Sequence, residues 1–107
     1  IGIIIMKRIV VDLDGTLCTE EETFQRSLAQ PKQKIIDLVN ACYKKGILIV
    51  IYTARGWLEY KMTEDWLAKN NVLYDTLICG KPVYDLWIDD RCLNPTDQFR
   101  KIKAMVE

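Results

Sequence analysis

The sequence predicts an α/β domain built on a reduced parallel sheet of about four strands. Two observations carry this reading. Short runs that are apolar throughout recur along the chain, with segments of helical periodicity between them. Strands buried on both faces read this way, and strands separated by helices join in parallel through right-handed crossovers. In addition, 107 residues with 50% apolar content suffice for one domain and a modest core.

The elements follow in order. Residues 9–11 read as a buried strand. Residues 31–45 read as a helix: Pro31 near its first turn, Ile35, Ile36, Leu38, Val39 and Cys42 on one side, and Gly46 just past its end. ILIVIY, residues 47–52, is the strongest strand signal. A second helix spans 58–70 and stops at Asn70 and Asn71. Short strands follow at 77–79 and 86–88, and a third helix spans 95–106. Residues 1–5, ahead of Met6, read as an extension or cloning remnant. The apolar start is shorter than the ~20 residues of a membrane span and has no small-residue cleavage site of a signal peptide.

Composition excludes several classes. Fifteen basic and fifteen acidic residues cancel, so nothing global points to nucleic acid or an anionic membrane. The cysteines, Cys18, Cys42, Cys79 and Cys92, form no CxxC pair, and histidine is absent, which removes the usual zinc patterns. The thiols read as reduced core residues of a cytoplasmic protein. Without histidine, any general acid or base is a carboxylate, lysine, cysteine or tyrosine.

Each apolar run ends in residues able to do chemistry. The first ends in Asp12, with Asp14 beyond; the second in Thr53, Ala54 and Arg55; the third in Gly80 and Lys81; the fourth in Asp89 and Asp90. Parallel strands would bring these ends to one edge of the sheet, where such folds place their sites. Converging carboxylates repel, by about 4 kcal/mol at 4 Å and an effective dielectric near 20. A divalent cation and a lysine would relieve this.

DLDGT (residues 12–16), the threonine of IYTAR, the lysine of CGKP and the aspartates of WIDD stand in the order of the four motifs of the haloacid dehalogenase superfamily of aspartate-nucleophile phosphatases, which the chain resembles. TAR, GKP and IDDR narrow the resemblance to small capless members associated with capsule and surface-polysaccharide genes. The resemblance implies a three-layer, Rossmann-like core without a cap domain. It implies an aspartyl-phosphate on Asp12, with Asp14 as general acid and base. Thr53 would bind a phosphoryl oxygen, and Lys81 would neutralise charge. Mg²⁺ would sit on the Asp12 carboxylate, the Asp14 carbonyl, Asp89 and Asp90. The Mg²⁺ form would then be the more stable.

Gly15 permits the tight exit from the first strand. Together with Thr16, Ala54, Arg55 and Arg91 it completes the candidates for substrate contact. Arg55 and Arg91 would each reach phosphate or pair with the acidic cluster. Trp57 and Tyr60 would line the mouth of the site or pack their helix. Cys18 lies close to the motif, but an aspartate nucleophile is already present.

Only residues 17–30 separate the first motif from the first long helix, room for a short flap. The open site would then admit a large substrate or be covered by a second copy of the chain, and the expected partner is a phosphorylated small molecule. The link from Lys81 to the strand at 86–88 would be taut, because a parallel crossover normally takes a dozen or more residues. Two other functions use similar residues. A receiver-like domain phosphorylated on aspartate would place its acidic pair first and its acceptor later, the reverse of the order here. A catalytically weak binding or assembly module would not need Asp14.

Overall fold

The computed structural model describes residues 8–95, 99–104 and 106. The expected extension at residues 1–5 lies outside them, as do residues 96–98 and 105 of the expected third helix.

A parallel sheet of three strands, in the order β1–β2–β3, organises the described residues. β1 (Arg8–Val11) pairs with β2 (Leu48–Tyr52), Ile9 opposite Ile49 and Val11 opposite Ile51. On its other side β2 pairs with β3 (Thr76–Ile78), Ile51 opposite Leu77. Because the strands are parallel, their carboxyl ends share one rim. Asp12, Thr53 and Cys79 each step off it.

α1 (Gln33–Lys44) connects β1 to β2 and buries Ile35, Ile36, Leu38, Val39 and Cys42 along one stripe. Its expected start at residue 31 comes two residues too early, because Pro31 bridges Cys18 instead of opening the helix. The helix ends in a Schellman motif. Gly46, at φ +87°, donates its N–H to the Tyr43 carbonyl at 3.0 Å, and Ile47 donates to Cys42 at 3.1 Å.

A 3₁₀ turn, Trp57–Glu59, leads into α2 (Tyr60–Lys69), whose buried side chains are Thr63, Trp66 and Leu67. Asn40 of α1 pins the chain between α2 and β3: its amide donates to the Asn71 carbonyl at 2.8 Å and accepts from the Leu73 N–H at 2.8 Å. α3 (Phe99–Ala104) lies where Phe99 packs against the core, with the Lys34 ammonium 4.1 Å from its ring centroid.

One core joins Leu13 and Leu17, Ile36 and Val39 of α1, Ile49 and Ile51 of β2, and Trp66 and Leu67 of α2. Each fully buried branched side chain is worth about 1.5–3 kcal/mol. β2 alternates between buried and half-buried positions, so the two faces of the sheet are unequally covered. The uniform apolar run at 47–52 does not show this.

The fourth strand expected at 86–88 is corrected: no strand forms there, and Ile88 is 90% exposed. The reason is tether length. β3 ends at Ile78, and the few residues before Leu86 fall short of a parallel crossover. Among the described strands β1 therefore keeps an unpaired edge, with Val10 exposed.

Candidate active site

The exit from β1 sets the site. Leu13 and Leu17 are fully buried, and the Leu13 carbonyl accepts the N–H groups of Thr16, Leu17 and Cys18 at 3.1, 2.9 and 3.3 Å. Gly15, at φ +85°, closes this coil by donating to the Cys18 carbonyl at 2.8 Å. With Leu13 turned into the core, its neighbours Asp12 and Asp14 face the rim.

Each meets a cation from another strand exit. Lys81 Nζ lies 2.7 Å from Asp12 Oδ1, and Thr16 donates its hydroxyl to Asp12 Oδ2 at 3.2 Å. The Lys81 side chain is 9% exposed and the Asp12 side chain 38%. The cation is thus sheltered while the carboxylate stays open. Residues 69 apart in sequence meet because β1 and the β3 exit share the rim.

Asp14 is held differently. Arg55 Nε donates to Asp14 Oδ2 at 2.9 Å and Nη2 to Oδ1 at 2.8 Å, a bidentate pair. Arg55 Nη1 donates to the Thr63 hydroxyl at 3.0 Å. The Arg55 side chain is 0% exposed, that of Asp14 16%. Burial works against the guanidinium charge, yet the hydrogen bonds and charge of Asp14 outweigh it and raise the Arg55 pKa. Of the two uses open to Arg55 from sequence, the structure places it on the acidic pair.

Backbone bonds lock the three exits together. Lys81 donates its N–H to the Thr53 carbonyl at 2.9 Å, Thr53 to Ile78 at 2.9 Å, and Gly80 to Arg55 at 2.9 Å. The buried Thr53 hydroxyl accepts the Arg55 N–H at 3.1 Å. Ala54 and Gly15 are exposed at the rim.

Asp89, Asp90 and Arg91 are not brought to this cluster by any described contact. All three are exposed, and Asp89 accepts the Arg91 N–H at 2.9 Å and the Trp87 indole N–H at 3.4 Å. Among the described residues no group of three or more carboxylates and cysteines is placed to hold a metal ion. Of the four Mg²⁺ donors expected from sequence, Asp12 and Asp14 stand at this rim, while Asp89 and Asp90 make no described contact with them.

Burial, then the charge of Asp14, pushes the Cys18 thiol up to about 12. It stays protonated, with its Sγ 3.6 Å from Asp14 Oδ1, which leaves it no role as a thiolate nucleophile. Two contributors escaped the sequence reading. Thr63 sits among helix residues of no special pattern, and the Lys32 ammonium donates to the Gly15 carbonyl at 3.0 Å.

The haloacid dehalogenase-like hydrolase family matches residues 9–80, and the chain belongs to it. These are hydrolases of the phosphatase type. A target protein from Vibrio cholerae, known from a crystal structure, is similar over 95% of this chain and 100% of its own, at 27% identity and a TM-score of 0.74. Two chains from structures of the Pnkp1/Rnl/Hen1 complex, one described as an RNA repair complex, each share 20% identity and a TM-score of 0.62. They are matched over 90% and 94% of this chain but only 34% and 31% of their own, and they bear on the fold alone. No curated protein matches the chain. No helix of the described residues is long and apolar enough to cross a membrane.

Proposed function

We propose that the chain hydrolyses phosphomonoesters through an aspartyl-phosphate on Asp12. The observation that carries this is the exposed Asp12 carboxylate held at 2.7 Å by the sheltered Lys81. Asp12 Oδ2 attacks phosphorus, the bond to the leaving oxygen breaks, and Asp14 gives that oxygen a proton. Asp14 then takes a proton from the water that cleaves the acyl phosphate, freeing phosphate and Asp12.

In this reading the hydrogen bonds to Asp14 select the oxygen that carries the proton. A carboxylate offers about four lone-pair sites. Arg55 takes one on each oxygen of Asp14, and Cys18 faces Oδ1. The free site is on Oδ2. Lys81 offsets the charge of Asp12 and the incoming phosphate, and Thr16 fixes the carboxylate rotamer. Mg²⁺ would be held by Asp12 and the Asp14 carbonyl with Asp89 and Asp90 and would offset phosphate charge, and no step is assigned to it here.

The substrate class, a sugar phosphate or related intermediate of surface-polysaccharide biosynthesis, rests on the TAR, GKP and IDDR motifs. A second copy of the chain covering the open rim belongs to the same proposal. Phe24 and Leu28 are exposed on the 3₁₀ helix Thr23–Leu28, and Leu58 is exposed on the next turn. The Arg26–Glu59 pair, at 2.8 Å, ties these two segments together.

The test is a panel of phosphomonoesters with Mg²⁺, comparing wild type with Asp12→Asn and Asp14→Asn. Turnover should vanish in Asp12→Asn and fall about 10²–10⁴-fold in Asp14→Asn. Turnover that survives Asp12→Asn refutes the mechanism. The Arg55 clamp on Asp14 and the detached Asp89 favour a second reading, a catalytically weak binding module. That reading is selected if wild type binds phosphomonoesters without turning any over.

A further inference from the structure

The three tryptophans are used differently. Trp66 is buried, and its indole N–H donates to the Ala29 carbonyl at 2.9 Å. It is a core residue. Trp57 is 59% exposed, yet it is held on two sides. Its ring lies nearly parallel to that of Tyr60, with centroids 5.7 Å apart and planes 15° apart, and Tyr60 in turn packs against the core. Its pyrrole edge lies over Gly80, where an added Cβ would come within 3.3 Å of Nε1. An indole exposed to this degree forgoes much of the apolar burial available to it. Such a rigid exposed face is poorly explained by folding alone.

Its position gives the explanation. Gly80 directly precedes Lys81, whose ammonium touches Asp12. The glycine under the platform is thus the chain neighbour of the lysine that holds the candidate phosphoryl site. A second aromatic pair, Tyr84 and Trp87, lies edge to face at 5.0 Å and borders the same lysine, whose Nζ is 5.5 Å from the Tyr84 ring centroid.

The geometry points to Trp57 as a specificity determinant that stacks on a ring carried by the substrate's alcohol. The class of substrate is a phosphomonoester whose leaving group presents a flat or pyranose ring face, a nucleoside or hexose phosphate rather than an acyclic one. Tyr60 braces the indole from one side, and more than half of Trp57 stays exposed to meet a ligand. Because the indole is already braced, little freedom is lost when a ring settles on it. The inference rests on the phosphatase reading, since that reading puts phosphate at Asp12 and Lys81.

Binding and turnover are measured separately. Calorimetry on the full chain with Mg²⁺ uses the non-hydrolysable phosphonate analogues of a nucleoside 5′-monophosphate, a hexose 6-phosphate and glycerol 3-phosphate. The nucleotide and hexose arms distinguish the two ring sources. In wild type at least one ring ligand should bind about tenfold tighter than the glycerol analogue. That ratio should fall to about one in Trp57→Ala and be largely restored in Trp57→Phe. The exposed position makes unfolding of the variant unexpected, and a thermal melt checks this. A wild-type ratio near one, or a ratio that Trp57→Ala leaves intact, overturns the inference. Loss of hydrolysis of the parent esters with the ratio preserved refutes the phosphatase reading and leaves the platform standing.

Discussion

Arg55 is the residue whose removal should cost this fold most for one charge. Its guanidinium and Asp14 are 2.8 Å apart. The gross attraction at an effective dielectric near 20 is about 6 kcal/mol. Most of that offsets the desolvation of the buried guanidinium, so the pair adds little net stability as a pair. Breaking it is another matter: removing one partner of a buried pair costs about 3–5 kcal/mol, because the other charge is left without compensation. Asp14 is 16% exposed and so partly hydrated, which places Arg55→Met near the lower end, about 3 kcal/mol. In a domain of this size that lowers Tm by about 10 °C or more. The assay is urea unfolding of wild type, Arg55→Met, Asp14→Asn and the double variant. The cycle should show coupling of at least about 1.5 kcal/mol. Arg55→Lys should recover only part of the loss, since an ammonium cannot bridge both Asp14 oxygens and Thr63 together. Lys61→Met, which removes the exposed partner of Asp65, should change little. An Arg55→Met variant within about 0.5 kcal/mol of wild type, the range of a neutral surface change, would refute the clamp.

Thiol reactivity should follow burial: a thiol reagent should modify Cys92 quickly in the native chain, and Cys18, Cys42 and Cys79 only after unfolding. More than one fast thiol would contradict the packing. Cys18 also sets a pH dependence. Its folded pKa of about 12 exceeds the ordinary 9.0, so the folded chain binds more protons between these values. The contribution is fully present below pH 9 and falls by up to ~1.4 kcal/mol per unit as pH rises toward 12. Alkaline melts of Cys18→Ala should lack that component. For Mg²⁺, the sequence-based expectation of a stabilising ion and the detached Asp89 give opposite outcomes. With the donors apart, millimolar Mg²⁺ should add no more than about 0.4 kcal/mol, the value when its concentration equals Kd. A larger rise that Asp89→Asn abolishes would show residues 84–92 swinging in to join Asp12.

How far the sequence reached depends on what each signal encodes. Asp12, Thr53 and Lys81 were legible because an apolar run ending in a polar residue reports a strand end, and parallel pairing puts strand ends on one rim. Gly46 was legible because a helix stop needs a positive φ. The run at 86–88 has the composition of a strand, but pairing depends on the tether that delivers it. Residues 79–85 cannot return the chain to β1 as a crossover helix would, and the apolar side chains stay exposed. Thr63 was invisible for the opposite reason. A threonine in a helix is locally unremarkable, and its role appears only when Arg55 arrives from a different strand exit.

That Arg55 comes from the β2 exit bears on the chemistry as well as the fold. In the proposed mechanism Asp14 both gives and takes a proton, and such a carboxylate must keep its position through the cycle while its charge changes. Asp14 sits in the coil that Gly15 closes, and its anchors are Leu13 below it and the guanidinium beside it. Arg55 is itself fixed from two sides, by the Thr63 hydroxyl and by the Gly80 N–H on its carbonyl. The same Gly80 supports the edge of Trp57 and precedes Lys81. A shift of that glycine would therefore move the lysine on Asp12, the clamp on Asp14 and the aromatic platform together. Gly80→Ala strains a φ of +82° and crowds the indole at once. It should lower kcat and weaken ring binding in a single variant, whereas Trp57→Ala should affect only the second. If Gly80→Ala altered ring binding with kcat unchanged, the two halves of the rim would be independent.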